Sequence, residues 1–122
     1  METIVAVVPD LMFHVKVSDG ARSAGRRAAF AQTLEQAIEL VRQTRAVLVV
    51  ADLNCKTVDV IELVRRLKAD PALRAIPALG FVPHVQEDRK RDALEAGYDK
   101  VVARSTFSDQ ARTLLSGTLA TR

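Results

Sequence analysis

Polar side chains stand directly after four short apolar runs of the 122-residue sequence. The residues at these points that could do chemistry are Asp10, Asp52, Asn54, His84 and Arg104. If the runs are strands ending at one edge of a sheet, two carboxylates, an imidazole and a guanidinium share one rim. Mg²⁺ accepts one or two protein carboxylates and keeps several waters, so Asp10 and Asp52 are candidate metal ligands. The alternative is that both carboxylates serve only as helix N-caps or loop acceptors.

The two histidines offer a second metal hypothesis. His14 lies four residues after Asp10, and together with Asp52 and His84 these residues could supply mixed nitrogen and oxygen ligands to a transition metal. Their spacing matches no known metal motif, which favours an imidazole bonded to a backbone carbonyl instead. Cys55 has no second cysteine and no histidine beside it in the sequence, so a redox role is disfavoured.

The composition predicts one domain, residues 1–122, that folds on its own. Apolar residues make up 48% of the chain and charged residues 27%, which excludes a disordered chain. The longest apolar runs are far shorter than the roughly 18 residues of a membrane span, and the first residues lack the basic start of a signal peptide. The single cysteine can form no intrachain disulfide, which favours a reducing compartment. We therefore expect a cytoplasmic protein without membrane contact.

Short apolar runs rich in β-branched residues alternate with segments of helical period. The predicted strands are 4–8, 27–31, 46–51, 78–82 and 100–103. The strand signal of 27–31 is weak because its side chains are small and not β-branched, and it is assigned as an edge strand mainly because the alternation of elements requires one there. The predicted helices are 11–24, 33–42, the segment between Asp59 and Asp70, 87–96, and a last one that opens at Ser108 or Asp109. Strict alternation predicts an α/β fold with a doubly wound, five-stranded parallel sheet, a flavodoxin-like three-layer sandwich.

Several local details of these helices are also predicted. Thr33 and Gln36 have the spacing of a capping box, and Gly97 suits the end of the fourth helix. Gly20 is expected to weaken the first helix. The positions predicted to face inward in the last two helices are Ala93, Leu94, Ala111, Leu114, Leu115 and Leu119.

The strand ends carry a specific pattern of residues along nearly the whole chain. Val50-Ala51-Asp52 closes the third strand, Val8-Pro9-Asp10 follows the first, and Arg104 follows the fifth. Together with the stretches 67–71, 76–79 and 93–99, this pattern resembles the receiver domain of two-component response regulators. The resemblance implies that Asp52 is the phosphoacceptor, that Asp10 and Asp52 bind Mg²⁺, and that Arg104 contacts the phosphate from the position of the family's lysine.

The departures from the family pattern fall where receiver chemistry is done. Val82 stands in place of the hydroxyl residue that would bond a phosphoryl group, and a valine donates no hydrogen bond. Val101 replaces the aromatic switch residue, Val60 replaces a small loop residue, and Ser105 replaces a proline. Pro9 replaces one acidic residue of a pair, so we expect Mg²⁺ to bind weakly or not at all. The sequence thus resembles the receiver fold well and the receiver switch poorly.

Other function classes lack their signals. Basic clusters lie at 26–27, 65–68 and 89–91, but Glu87, Asp88 and Asp92 interrupt the last of them and only 4% of the chain is aromatic, so we expect no nucleic-acid binding. No glycine-rich phosphate loop follows the first strand, and no nucleophile, histidine and acid arrangement is readable, so we expect no enzyme activity.

These observations favour a stand-alone, atypical receiver-like domain that signals by protein–protein interaction without a working phosphorylation switch. Receivers of similar plan dock and form homodimers through the fourth helix, fifth strand and fifth helix. That face would present Arg89, Lys90, Arg91, Arg104 and Arg112 with Phe107. The first alternative is a conventional response regulator that a histidine kinase or phosphorelay phosphorylates on Asp52. The second is a small metal- or ligand-binding domain.

Overall fold

The computed structural model describes residues 1–84 and 86–116, which form one parallel sheet covered by helices. The strands are β1 (Thr3–Val7), β2 (Arg27–Phe30), β3 (Leu48–Asp52), β4 (Ala78–Val82) and β5 (Lys100–Ala103). The helices are α1 (Leu11–Ser23), α2 (Leu34–Thr44), α3 (Val60–Ala69), α4 (Glu87–Ala96) and α5 (Arg104–Leu114). The five strands lie in the order β2-β1-β3-β4-β5, all parallel, which confirms the predicted fold class.

The central strands are continuous apolar runs because helices cover both of their faces. Every residue of β1, β3 and β4 is buried, whereas β2, at the sheet edge, is exposed at Arg27 and half-buried elsewhere. This accounts for the small side chains of β2, which need not fill a core. Strand register places Asp52, the last residue of β3, beside Phe81 of β4.

The two faces of the sheet have cores of different composition. On one face, α1 and α5 pack over a core that contains the three rings of Phe13, Phe81 and Phe107. On the other face, α2, α3 and α4 pack over a core of valine, leucine and alanine, with Tyr98 as its one aromatic member among the described residues. The Tyr98 hydroxyl donates to the Val60 carbonyl at 2.8 Å, and burial raises the pKa of Tyr98 well above its usual range.

Three helices begin at side-chain caps that the sequence provides. Asp10 and Asp59 accept from the backbone N–H groups of Met12 and Glu62, at the starts of α1 and α3. Thr33 accepts from the N–H of Gln36 at the start of α2, and the Gln36 side chain accepts from the N–H of residue 32. Each contact satisfies a backbone donor that the first helical turn leaves open.

The last helix corrects the sequence-based prediction. It begins at Arg104 rather than at Ser108 or Asp109, and its N-cap position, Ala103, makes no side-chain cap. Serine and aspartate are common N-cap residues, so Ser108 and Asp109 led to a predicted start of α5 that is about one turn too late. Gln110 has non-helical dihedral angles, which kinks the helix there. The predicted inward position of Leu119 lies outside the described residues.

Two further positions differ from expectation. Leu94 of α4 is exposed rather than inward, because the helix contributes a single buried residue, Ala93, to the core. Gly20 lies where α1 crosses α5, and a Cβ atom built there would lie 2.8 Å from the Cβ of Ala111 and 2.9 Å from Leu115 Cδ1. Its missing side chain therefore allows close helix packing. No helix among the residues described is long and apolar enough to cross a membrane.

Candidate functional site

Asp10, Asp52 and Arg104 come together at the carboxyl edge of the sheet, as predicted. We call these three residues the edge cluster. Asp10 follows β1, Asp52 ends β3 and Arg104 begins α5 directly after β5. Arg104 Nη2 lies 3.3 Å from Asp52 Oδ2, and Arg104 Nη1 lies 3.9 Å from Asp10 Oδ2. The guanidinium therefore lies between two carboxylates that are 42 residues apart in sequence, since strand order places β1 beside β3.

Asp52 is the least exposed member of the edge cluster. Only 7% of its side chain is exposed, and its Oδ1 accepts from the backbone N–H of Asn54 at 2.9 Å. The loop that follows is held at further points: the Leu53 N–H donates to the Phe81 carbonyl, and Arg89 Nη1 of α4 donates to the Leu53 carbonyl at 2.8 Å. The buried Leu53 side chain also packs against Gly80, where a Cβ atom would approach it to 2.8 Å. The loop after Asp52 is thus anchored by backbone, side-chain and packing contacts.

Asp10 is more exposed, with 46% of its side chain accessible to solvent. Its Oδ1 caps α1 by accepting from the Met12 N–H at 2.9 Å. Asp10 therefore acts as an N-cap and Asp52 as a loop acceptor, and both do so through Oδ1. The Oδ2 atom of each one is left to face Arg104.

The arginine is supported on its other side by aromatic rings. The guanidinium carbon lies 5.1 Å from the centre of the Phe13 ring and 5.7 Å from that of Phe81. Both distances are in the range of cation–π attraction. Arg104 Nε is buried and has no hydrogen-bond partner. The sequence predicted the arginine at this edge but not the rings beneath it, because Phe13, Phe81 and Arg104 belong to three separate elements.

The positions of the receiver hydroxyl and aromatic switch are apolar and buried. Val82 is 1% exposed and Val101 is 6% exposed, and both belong to the core under α2, α3 and α4. Neither side chain carries a hydrogen-bond donor. The nearby hydroxyl residue Ser105 is exposed on the first turn of α5.

The remaining predicted rim residues do not form a metal site. His84 is exposed in the loop after β4, and Asn54 contributes its backbone N–H to Asp52. His14 stacks on the Phe30 ring with centroids 3.9 Å apart, and its Nε2 contacts the Val8 carbonyl, as the simpler interpretation of this histidine predicted. Within residues 1–84 and 86–116, no group of three or more His, Cys, Asp and Glu side chains could hold a metal ion. The described residues thus do not bring together the mixed nitrogen and oxygen ligands of the transition-metal hypothesis.

A magnesium ion also fits the edge cluster poorly. The available donors are two carboxylates, and the oxygen of each that is not bonded to a backbone N–H faces the Arg104 guanidinium. The open hydrogen-bonding position is the Arg104 Nε donor, which would take an oxygen acceptor and would repel a cation. These residues therefore do not fit Mg²⁺ while Arg104 lies between them.

The predicted basic docking face is altered in two places. Phe107 is completely buried in the aromatic core, and Arg104 is directed to the edge cluster. Arg89 and Arg91 of α4 remain exposed, with Arg91 paired to Asp88 one turn earlier at 3.1 Å.

Two surface features were missed by the sequence analysis. Leu11, Met12 and Val15, on the first turns of α1, are 75%, 83% and 60% exposed. A cavity of about 340 Å³ lies beside them, between the ends of β1 and β2 and the loop after β3. The residues that line it include Val8, His14, Phe30, Gln32, Cys55 and Thr57. Helical period alone could have shown that Leu11, Met12 and Val15 share a face, but not that this face is exposed among the residues that the structure describes.

The overall architecture is shared with solved response regulators. The Vibrio cholerae chemotaxis protein CheY4 superposes with a TM-score of 0.84 at 17% identity, over 98% of this chain and 99% of that one. The phosphorylated cyanobacterial phytochrome response regulator RcpA gives 0.77 at 18% identity, over 95% and 89% of the two chains. The chain has the receiver fold. The Mn²⁺-bound form of response regulator Rcp1 also matches, with a TM-score of 0.77 at 16% identity over 95% and 93%.

At identities of 16–18%, the structural likeness establishes the receiver fold alone. Any activity has to be argued from the residues of the edge cluster. By sequence alone, no protein-family model and no curated protein matches the chain. The predicted fold and its likeness to receivers are confirmed by the structural matches. The three matched structures cover 95–98% of this chain.

Proposed function

We propose that this protein is an atypical receiver-like module of cytoplasmic signal transduction, which acts by binding another signalling protein and has no working phosphorylation switch or enzyme activity of its own. The observation that carries the proposal is the environment of Asp52. Its free carboxylate oxygen is paired with Arg104, and the side chain at the hydroxyl position is the buried Val82.

Phosphorylation of Asp52 would add a charge of about −2 to this edge. A receiver turns that charge into movement through new contacts, and a modification shifts a conformational equilibrium only by its differential contacts with the two states. Val82 offers no hydrogen bond to a phosphoryl oxygen, and Val101 offers no ring that could change position. The two states of Asp52 would therefore differ little in contact energy, and partner binding should not depend on phosphorylation.

The exposed basic residues of α4 are the proposed contact surface, and an acidic patch on the partner would complement them. Arg91 is the better residue to test, because Arg89 also holds the Leu53 carbonyl and its loss would disturb the loop after Asp52. Arg22 of α1 provides a matched control. It pairs with Asp19 at 3.4 Å in the same three-residue spacing and is similarly exposed.

The test combines mass spectrometry with partner capture. The protein is treated with acetyl phosphate and Mg²⁺, and the intact mass is measured for the wild type and Asp52→Asn. Proteins retained from an extract of the source cells are then compared among wild type, Asp52→Asn, Arg91→Glu and Arg22→Glu. We expect little phosphoryl adduct, unchanged capture by Asp52→Asn and Arg22→Glu, and at least about tenfold weaker capture by Arg91→Glu, the effect of losing about 1.4 kcal/mol.

A conventional response regulator is the second candidate. It is favoured by the position of Asp52 at the end of β3, with a cationic group 3.3 Å away. A stoichiometric phosphoryl adduct that is absent in Asp52→Asn, together with loss of partner capture by that variant, would establish this candidate and refute the proposal. Equal capture by Arg91→Glu and Arg22→Glu would instead refute the α4 surface.

A further inference from the structure

We infer that Arg104 takes the place of a divalent cation at the edge cluster: it is a built-in positive charge that holds Asp10 and Asp52 together without metal. The inference rests on the proposed function, since it explains how the edge cluster of a receiver-like module could be stable without a metal ion. It makes a separate claim about the molecule, namely that removing the guanidinium would turn the edge cluster into a site that responds to divalent cations.

The first support is the use of the four carboxylate oxygens. Oδ1 of Asp10 accepts from the Met12 N–H, and Oδ1 of Asp52 accepts from the Asn54 N–H. These backbone contacts fix the orientation of both carboxylates, and both direct Oδ2 towards Arg104, at 3.9 and 3.3 Å. A divalent ion bridging the two residues would need these same Oδ2 atoms, so the guanidinium and the ion exclude each other.

The second support is the placement of the arginine side chain. Its guanidinium carbon is 5.1 and 5.7 Å from the ring centres of Phe13 and Phe81, so the cation is attracted by the rings as well as by the carboxylates. The side chain is only 34% exposed, and displacing it would break both sets of contacts. A planar cation on aromatic faces is a role that arginine fills better than lysine.

The third support is the charge count. Two carboxylates alone carry a formal charge of −2, whereas the edge cluster with Arg104 carries −1. The preceding residue, Pro9, contributes no carboxylate, and the described part of the chain holds no third metal-binding side chain nearby. An external Mg²⁺ ion thus meets half the charge, two carboxylates whose oxygens already face N–H groups or Arg104, and no third ligating side chain among the described residues.

The experiment removes the guanidinium and measures the response to metal. Wild type, Arg104→Met, Arg104→Met/Asp52→Asn and Arg65→Met are unfolded by heat in EDTA, in ~10 mM MgCl₂ and in NaCl of equal ionic strength. Arg65 is an exposed arginine of α3, so its variant controls for the loss of one positive charge. A site that binds Mg²⁺ near ~1 mM would raise the melting temperature of Arg104→Met by about 4–6 °C.

Mn²⁺ gives a second readout that locates the ion. In ¹⁵N-labelled protein, the amide signals of Met12 and Asn54 report on the two carboxylates, because each donates to one of them. Paramagnetic broadening should be selective for these two signals in Arg104→Met, and absent from them in the wild type and in Arg65→Met at equal Mn²⁺. The double variant, which keeps only one carboxylate, should lose both responses.

The outcomes are decisive in either direction. Selective broadening and Mg²⁺ stabilisation in Arg104→Met alone support the inference. Sub-millimolar binding of Mn²⁺ by the wild type at these amides, or an Arg104→Met variant as indifferent to metal as the wild type, overturns it. If Arg104→Met does not fold in EDTA, Arg104→Gln replaces it, since the amide can donate to Asp52 and is also neutral. The experiment uses no phosphodonor and no partner, so its failure is distinguishable from failure of the proposed function.

Discussion

Two clusters of arginine and carboxylate side chains lie in different parts of this protein, and they differ in the burial of their least exposed carboxylate. The edge cluster joins Arg104 to Asp52, whose side chain is 7% exposed. The other, which we call the groove cluster, lines the groove between α2 and α3. It joins Arg66 to Glu35 and Glu62, and Arg42 to Asp70. The Arg66 and Glu35 side chains are 46% and 77% exposed.

The shorter ion pairs do not include the most buried carboxylate, Asp52. In the groove cluster the nitrogen–oxygen distances are 2.5, 3.0 and 3.2 Å, whereas in the edge cluster they are 3.3 and 3.9 Å. Distance alone would rank the groove cluster as the stronger. Water competes for exposed charges and salt screens them, whereas a carboxylate that is already buried depends on its partner for compensation. The comparison teaches that burial, more than distance, decides which arginine the fold depends on.

The largest effect is expected for Arg104→Met. The substitution keeps much of the aliphatic packing but leaves the buried Asp52 carboxylate without its cation, which should lower the free energy of unfolding by about 2–3 kcal/mol. Asp52→Asn should cost less, about 1 kcal/mol, because the amide oxygen still accepts from Asn54 and the half-exposed Arg104 can turn to water or to Asp10. Urea denaturation in EDTA measures both. Equal losses for the two variants would contradict this ranking.

A much smaller effect is expected for Arg66→Met. Hydrogen bonds to Glu62 and Glu35 raise the pKa of Arg66 above its ordinary value, yet 46% of its side chain is exposed to water. We expect its loss of stability to be roughly five-fold smaller than that of Arg104→Met and to vanish in ~1 M NaCl, where charges are screened within about 3 Å. Repeating the urea series at low and high salt makes the comparison. A salt-independent loss as large as that of Arg104→Met would break it.

The smallest effect concerns acid stability in the groove cluster. The backbone N–H of Ala72 and the Arg42 guanidinium lower the pKa of Asp70 below its ordinary value of 3.8. A carboxyl group whose pKa is lower in the folded state contributes stability at pH values above its unfolded pKa, and loses it as the pH falls through its folded pKa. Asp70→Asn should therefore flatten the decline of the unfolding midpoint below about pH 4 and leave its slope unchanged near pH 7. A variant with the same acid profile as the wild type would show that Asp70 makes no such contribution.

The sequence predicted the elements well and the contacts between them less well. Strands such as 78–82 and helices such as 87–96 follow from apolar runs and helical period, which are local properties. The start of α5 was missed because Ala103 supplies no capping side chain. Phe107 was assigned to the docking face from the resemblance to receivers, and its burial depends on contacts with Phe13 and Phe81, which the sequence does not show.

The candidate site shows the same division. That Asp10, Asp52 and Arg104 share an edge follows from the strand ends in a parallel sheet. The strand ends do not predict that Arg104 lies between the carboxylates and close to Phe13 and Phe81. Those contacts join side chains on separate elements. The resemblance to receivers suggested a phosphate contact for Arg104, whereas the structure pairs it with Asp52.

Gly20 has a consequence for the site although it lies towards the other end of α1 from Asp10. Asp10 and Phe13 are carried by the first turn of α1, and Arg104 and Phe107 by the first turn of α5. Where these helices cross, the absent side chain of Gly20 lets Ala111 approach within the space that a Cβ atom would need. The spacing of the two helices is thus set at their far ends. A larger residue at position 20 would push α1 and α5 apart and lengthen the distance between Asp10 and Arg104. The size of the residue at position 20 therefore affects how well Arg104 neutralises the carboxylates of the edge cluster.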